Sequence, residues 1–298
     1  MKEYKTSWFK RRLPYIFIFP TLALLLFLAF FPLIWSLGLS FYKYSVMNVY
    51  GEPIRFIGLQ NYIKALSDTY VWSRWVTTAE FVVAAVSLEF IVGFTLAYLL
   101  SENFKGRRVI LTLLLIPMML APAAVGFFWR FMLDESFGIF NYFTYALFGV
   151  RIPWFTSFEY AMLSIIIVDV WQWSPFMMLV ILSGMLAVPK HLYEASRIDR
   201  ASGWMKFRYI TLPTIKPILA IALLFRTVDA FKLFDIAFIM TSGGPGTTTE
   251  VFSLHLFRTV FLYFLTGEGC ALSYIFMVVI IILVNIYLRY FVLRPEEV

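Results

Sequence analysis

The chain has 298 residues, 61% of them hydrophobic and only 14% charged, with a mean hydropathy of +0.80 and a formal net charge of +7. A soluble domain is about half apolar and about a quarter charged, so this composition excludes a soluble globular fold and requires lipid around much of the surface. The one cysteine, Cys270, excludes an internal disulfide and a Cys-based metal cluster, and His191 and His255 stand too far apart in sequence to form a metal motif.

A spanning helix needs about 20 largely apolar residues. The first candidate, about residues 13–42, contains no charge from Leu13 to Tyr42. Basic residues precede it as in a signal peptide, but it is too long, and Phe31-Pro32-Leu33-Ile34-Trp35 replaces a small-residue cleavage site. It is expected to remain as a span. The second, about 75–100, is interrupted by Glu80 and Glu89, and the sequence does not fix which way Glu89 faces. The third, about 109–133, holds Pro117 and Pro122, which are expected to bend it where neighbouring helices re-satisfy the backbone. The fourth, about 159–188, is uncharged from Val170 onward. The fifth, about 213–240, carries Arg226, Asp229, Lys232 and Asp235, and the sixth, about 268–292, is uncharged from Gly269 to Leu288. This predicts an all-α integral membrane protein built as a single transmembrane domain over residues 1–298.

Orientation follows from Lys and Arg. The N-terminus carries Lys2, Lys5, Lys10, Arg11 and Arg12; the loop between spans two and three carries Lys105, Arg107 and Arg108. The loop between spans four and five carries Lys190, Arg197, Arg200, Lys206, Arg208 and Lys216, and the C-terminus Arg289 and Arg294. The same side therefore holds 16 of the 25 basic residues. That side is expected to be cytoplasmic, with both termini on it, and the positive charge to serve membrane topology rather than nucleic acid.

Polar groups inside spans are costly in lipid and mark a pathway or a partner. Asp169, Gln172, Trp173 and Phe176 share one helical face of span four. A carboxylate and an amide beside aromatic rings suit a sugar: the polar groups bond hydroxyls and the rings cover C–H faces. Arg226, Asp229, Ala230 and Leu233 repeat that spacing in span five. At about 1.5 Å per residue the two faces overlap in depth. The alternative is structural pairing, with Arg226 held by Asp229 at i,i+3 or by Asp169 or Glu89.

The cytoplasmic loop 189–213 is more than a connector. Pro189 opens a helix, and Ala195, Ile198 and Ala201 give it a small apolar face. Gly203 is expected to break it, and Phe207, Ile210 and Leu212 to form a second short ridge leading to Pro213. Two short helices would make a stiff knob suited to a partner's groove; an amphipathic pair lying on lipid fits the spacing equally.

The segment Glu194-Ala195-Ser196, Asp199-Arg200-Ala201, Ile210-Thr211-Leu212-Pro213 resembles the EAA loop of ABC importer permeases, with Arg200 in place of the family's usual glycine. Ile57-Gly58-Leu59-Gln60-Asn61-Tyr62, Gly106-Arg107-Arg108, Phe137-Gly138-Ile139-Phe140-Asn141 and Thr241-Ser242-Gly243-Gly244-Pro245 are similar to the maltose-type carbohydrate permeases. The resemblance implies a type I ABC importer permease fold and a sugar, or an oligosaccharide-like solute, as cargo. Glycerol phosphate or another non-sugar solute is the alternative.

It further implies a second permease subunit in a heterodimer, two ATPase subunits that dock on Glu194, Ala195, Ser196, Asp199, Arg200, Ala201, Gly203 and Phe207, and an extracellular or periplasmic solute-binding protein. That protein would meet the outer loops near Asn61, Asn141 and Gly243 to Thr249. By the same resemblance Asp169, Gln172, Trp173, Phe176, Arg226, Ala230 and Leu233 occupy sugar-lining positions. No stretch matches a phosphate-binding loop, so ATP and Mg are expected on the partner ATPase, and no cofactor, metal or catalytic centre on this chain. An ion-coupled transporter is disfavoured because internal repeats are missing, and a membrane enzyme because no polar catalytic cluster is visible.

Overall fold

The computed structural model describes residues 8–47 and 54–289; Lys2, Lys5 and Arg294, counted above toward the topology, and residues 290–292 of the sixth expected span lie outside them. Contacts group the chain into two units, one of residues up to 67 with 257–276, the other of 68–256 with those from 277 onward.

In the first unit α1 (Trp8–Ser40) is a long helix whose spanning part, Phe17–Ser40, is exposed along most of its length, with Ser40 buried at its end. With no charge to satisfy and its interior backbone groups bonded within the helix, it can face lipid over most of its length. At its end Asn61, from α2 (Gln60–Ser67), donates through Nδ2 to the carbonyls of Ser40 at 2.8 Å and Tyr42 at 3.1 Å. These are the acceptors that a helix C-terminus leaves free. A two-residue antiparallel ribbon follows α1, with Tyr42 opposite Phe56 and Lys43 opposite Arg55.

The second unit is centred on α3 (Thr69–Ser101) and α7 (Phe158–Ala187). Asp68 caps α3 by accepting from Tyr70 N at 2.8 Å, and Ser157 caps α7 through Glu159 N at 3.2 Å. The two helices approach closely at Gly93, where a Cβ would fall 2.5 Å from Cβ of Met177 and 2.8 Å from N of Met178. In lipid, helices gain little from apolar burial and associate through such small-residue contacts. Around this crossing Ala97, Leu100, Met178, Ile181, Leu182, Met185, Ile215 and Leu219 form a buried core.

The third expected span is two helices, α4 (Arg107–Met119) and α5 (Pro122–Met132), bent by 97°. Pro122 lacks an N–H and pushes Ala121 to an extended conformation (φ −63°, ψ 131°), so the helix stops and restarts. α6 (Ile139–Phe148) lies on the connection to α7.

The fifth span differs from its expected bounds at both ends. Helix starts at Gly203, as α9 (Gly203–Lys206), passes through a π-helical turn at Phe207–Thr211, and continues as α10 (Leu212–Phe231). It then breaks before α11 (Asp235–Met240). Pro213 does not start the helix. Leu212 N donates to the Phe207 carbonyl, and this wider turn accommodates the proline ring. α12 (Phe252–Phe257) and α13 (Thr266–Tyr287) complete the described helices. Among the described residues five helices are long and apolar enough to cross a membrane, and the α4–α5 pair makes a sixth if it counts as one span.

Candidate functional site

Where α3, α7 and α10 meet, three charged side chains close on one another. Arg226 of α10 donates through Nε to Oε2 of Glu89 at 2.6 Å and through Nη2 to Oε1 of the same carboxylate at 2.8 Å. Nη2 also donates to Oδ2 of Asp169 on α7, and Nη1 to Oδ2 of Asp229 at 3.3 Å. Glu89, Asp169 and Arg226 are buried, whereas the Asp229 side chain is 41% exposed and accepts a second cation, Lys232, at 3.0 Å. Isolated charges are untenable in a spanning helix, so each is held by an opposite charge and a fork-shaped donor set. Arg226 makes the ion pairs of the structural reading and also lines an adjacent cavity, and Glu89, whose facing the sequence did not fix, turns inward as its bidentate partner.

Beside this cluster lies a cavity of about 420 Å³ walled by Trp173, Phe176, Phe225 and Val228, with Arg226, Asp229 and Lys232 at its polar edge. A smaller one, about 130 Å³, lies next to it among Pro122, Asp169, Ala230, Leu233 and Asp235. Both are lined by Trp173, Arg226, Asp229 and Lys232, and the Trp173 ring sits 5.3 Å from the guanidinium carbon. Seven of the eight positions singled out in spans four and five thus come together.

Gln172 is the exception. It is fully buried and donates through Nε2 to the carbonyl of Leu120 at 3.0 Å, while its Oε1 has no hydrogen-bond partner. Leu120 stands at the break between α4 and α5, where the backbone loses helical partners. The amide therefore satisfies a broken neighbouring helix rather than facing the cavity.

The loop between α7 and α10 begins with α8 (Lys190–Ile198). Glu194, Ala195 and Ile198 point outward, with Ile198 84% exposed, and Ser196 and Tyr193 turn inward. The break comes at Arg200 rather than at Gly203. Arg200 takes a left-handed conformation (φ 54°), and Ala201 N donates to the Ser196 carbonyl at 2.9 Å, six-to-one bonding that closes a helix end. This is a position where glycine is favoured. Gly203 is instead the first residue of α9, capped by Ser202, which accepts from Met205 N at 3.3 Å. The second ridge is therefore the beginning of the spanning helix. Phe207 packs edge-on against Phe94 and Tyr98 of α3, and Trp204, Met205 and Tyr209 are left exposed. Asp199 is exposed and Ala201 half-buried at the turn.

Asn61 and Asn141, in loops expected to meet a partner, are internal. Asn141 donates to the carbonyls of Asp134 at 3.2 Å and Ile152 at 3.0 Å, as Asn61 donates to those at the end of α1, and it accepts from Ile152 N at 2.8 Å. The turn at Gly243–Thr249 is pinned from α3. Arg74 donates to the Thr247 carbonyl at 2.9 Å, and Tyr70 to the buried Glu250 at 2.9 Å. The reading by spans missed Arg74 and Glu250; a buried arginine at the start of one span and a carboxylate beside the Gly-Gly-Pro turn were the available signal.

A family model described as the binding-protein-dependent transport system inner membrane component matches residues 89–294. The chain is 35% identical over 288 residues to the trehalose/maltose transport system permease protein MalF of Thermococcus litoralis, covering 96% of this chain and 95% of that one. It is 30% identical to the trehalose transport system permease protein SugA of Mycobacterium tuberculosis, covering 95% and 89%. Its fold matches a chain in the crystal structure of a bacterial ABC transporter involved in import of the acidic polysaccharide alginate, with a TM-score of 0.82 and 22% identity over 94% of this chain and 96% of that chain. The fold is that of a type I ABC importer permease, and the chain belongs to the family of inner membrane components of binding-protein-dependent transport systems.

Proposed function

We propose that this chain is the permease subunit of an ATP-driven importer that moves a saccharide, delivered by a binding protein outside the membrane, through the cavity between α7 and α10. The observation that carries the reading is that cavity. Trp173, Phe176 and Phe225 offer flat apolar walls, and Asp229 offers acceptor oxygens at the edge. Sugar hydroxyls donate to a carboxylate and sugar C–H faces lie on rings, the few-polar-groups-on-an-apolar-wall design of small-molecule sites. The permeases of trehalose and maltose systems among the relatives support it.

A separate ATPase docks on α8 and the exposed residues around the turn, Glu194, Ala195, Ile198, Asp199 and Trp204, and carries ATP and Mg; this chain binds no cofactor. A second permease subunit and two ATPase copies complete the assembly in the cell membrane, with both termini on the cytoplasmic side. ATP binding draws the coupling loops together and turns the cavity outward; hydrolysis returns it inward. A second reading, glycerol phosphate or another anionic solute, has Lys232 in its favour, a cation 58% exposed at the cavity edge.

The test is ATP hydrolysis by the lipid-reconstituted complex with its binding protein, screened against saccharides, amino acids, osmolytes and phosphate esters. Stimulation by a saccharide supports the reading. A response only to another class removes the sugar, and the lack of any associated ATPase removes the importer.

A further inference from the structure

Arg226 lines the cavity, and a buried arginine facing a solute site invites the assignment of an anion-binding group. Its hydrogen bonds argue otherwise. A guanidinium has five N–H donors, and four donor–acceptor pairs here already run to carboxylates: Nε and Nη2 to Glu89, Nη2 to Asp169 and Nη1 to Asp229. The residue is 2% exposed, and the Trp173 ring lies against its remaining side. The part-exposed charges at the edge of the larger cavity are Asp229 and Lys232, whereas Asp169 and Glu89 are buried behind them on Arg226. Lys232 is itself paired with Asp229 at 3.0 Å. A solute entering this edge therefore meets the half-exposed Asp229 carboxylate, while the Arg226 guanidinium behind it is already held by acceptors.

We propose that Arg226 is a positioning residue that holds Asp229 and Asp169, and that Asp229, the half-exposed carboxylate of the group, acts as a charge filter admitting uncharged saccharides and rejecting anionic ones. The inference rests on the saccharide reading of the cavity and adds the charge class of the cargo. An anionic sugar has to displace Asp229 from Nη1 to reach Arg226 and lies beside like charge until it does. A neutral sugar donates its hydroxyls to the same oxygen with no such cost. Like-charge juxtaposition is a specificity device of this kind.

The test measures equilibrium dialysis of labelled maltose and digalacturonate against the assembled transporter, purified in detergent with its partner subunits and without the binding protein. Preference is then read at the membrane site alone. The wild type is expected to favour maltose. Asp229→Asn is expected to raise the ratio of digalacturonate to maltose binding by roughly tenfold, the scale for losing one like charge at a partly solvated site. Asp229→Glu is expected to keep the wild-type ratio, and Asp229→Ser gives the same readout if the amide variant fails to assemble. Equal binding of the two sugars by the wild type, or an unchanged ratio in Asp229→Asn and Asp229→Ser, overturns the filter and leaves the saccharide reading standing. Failure of the wild type to bind either sugar overturns both.

Discussion

Arg226 grips both carboxylate oxygens of Glu89, at 2.6 and 2.8 Å, and so ties α10 to α3 in the interior of the second unit. Asp169 brings α7 into the same knot. Removing one member of a buried ion pair leaves its partner charged and unpaired, at a cost of about 3–5 kcal/mol. Arg226→Leu, which strands two buried carboxylates, is expected to lower the unfolding temperature of the detergent-purified complex more than Glu89→Gln, which leaves Asp169 on the guanidinium. Equal thermal stability of the two variants and the wild type would show that the cluster does not hold the helices.

Gly93 sits where α3 and α7 are too close for a side chain, with Met177 Cβ 2.5 Å from the place of a Cβ and the Met178 backbone at 2.8 Å. Gly93→Val is expected to cost at least about 1–3 kcal/mol through overpacking, more because backbone cannot move aside like a flexible side chain. Protease protection and yield of assembled complex report it. Gly203→Ala, at a residue with open space around it, is the control.

Gln172 bonds the Leu120 carbonyl at the break between α4 and α5. Gln172→Leu is expected to destabilise by about 0.5–1.5 kcal/mol, the net worth of one hydrogen bond, since Leu120 is itself part-exposed. Because the side chain does not line the cavity, the rank order of solutes in the ATP hydrolysis screen is expected to stay as in the wild type. A changed rank order would place Gln172 in the pathway after all.

The coupling loop separates two effects. Arg200 occupies a left-handed position (φ 54°), so Arg200→Gly is expected to relieve about 1–2 kcal/mol of backbone strain and to leave ATPase association intact. Glu194, exposed on α8, makes no such structural contribution. Glu194→Lys is expected to give a folded permease whose complex hydrolyses ATP without moving solute. Normal transport by Glu194→Lys sinks the docking role of α8.

The spanning segments were legible because charge-free runs in a hydrophobic chain have few other places to go. The bend at Pro122 was legible from the chemistry of proline. The start of the fifth span was not. Pro213 reads as a helix beginning, and only the π-helical turn at Phe207–Thr211, which has no sequence signature, lets the helix run through it. The cavity residues of spans four and five were legible as a stripe, but periodicity gives a face without saying what opposes it. Gln172 shares the stripe of Trp173 and meets the broken α4–α5 pair instead. Glu89 is one turn among many in a long helix, and its partner lies far along the chain. Arg200 was visible as a departure from the glycine of the related loops. Its left-handed backbone explains why glycine suits that place.

The knot of Glu89, Asp169 and Arg226 also sets a condition on biogenesis. The two carboxylates are synthesised first, and each costs about 2.5–3.5 kcal/mol at the centre of a lipid-inserted helix while it is unpaired. Their cation arrives only after the cytoplasmic loop, on α10. A chain that stops short of residue 226 carries two unanswered charges in its membrane helices. Completion of α10 supplies the one cation that answers both, so the two earlier helices and the later one are stable in lipid only together.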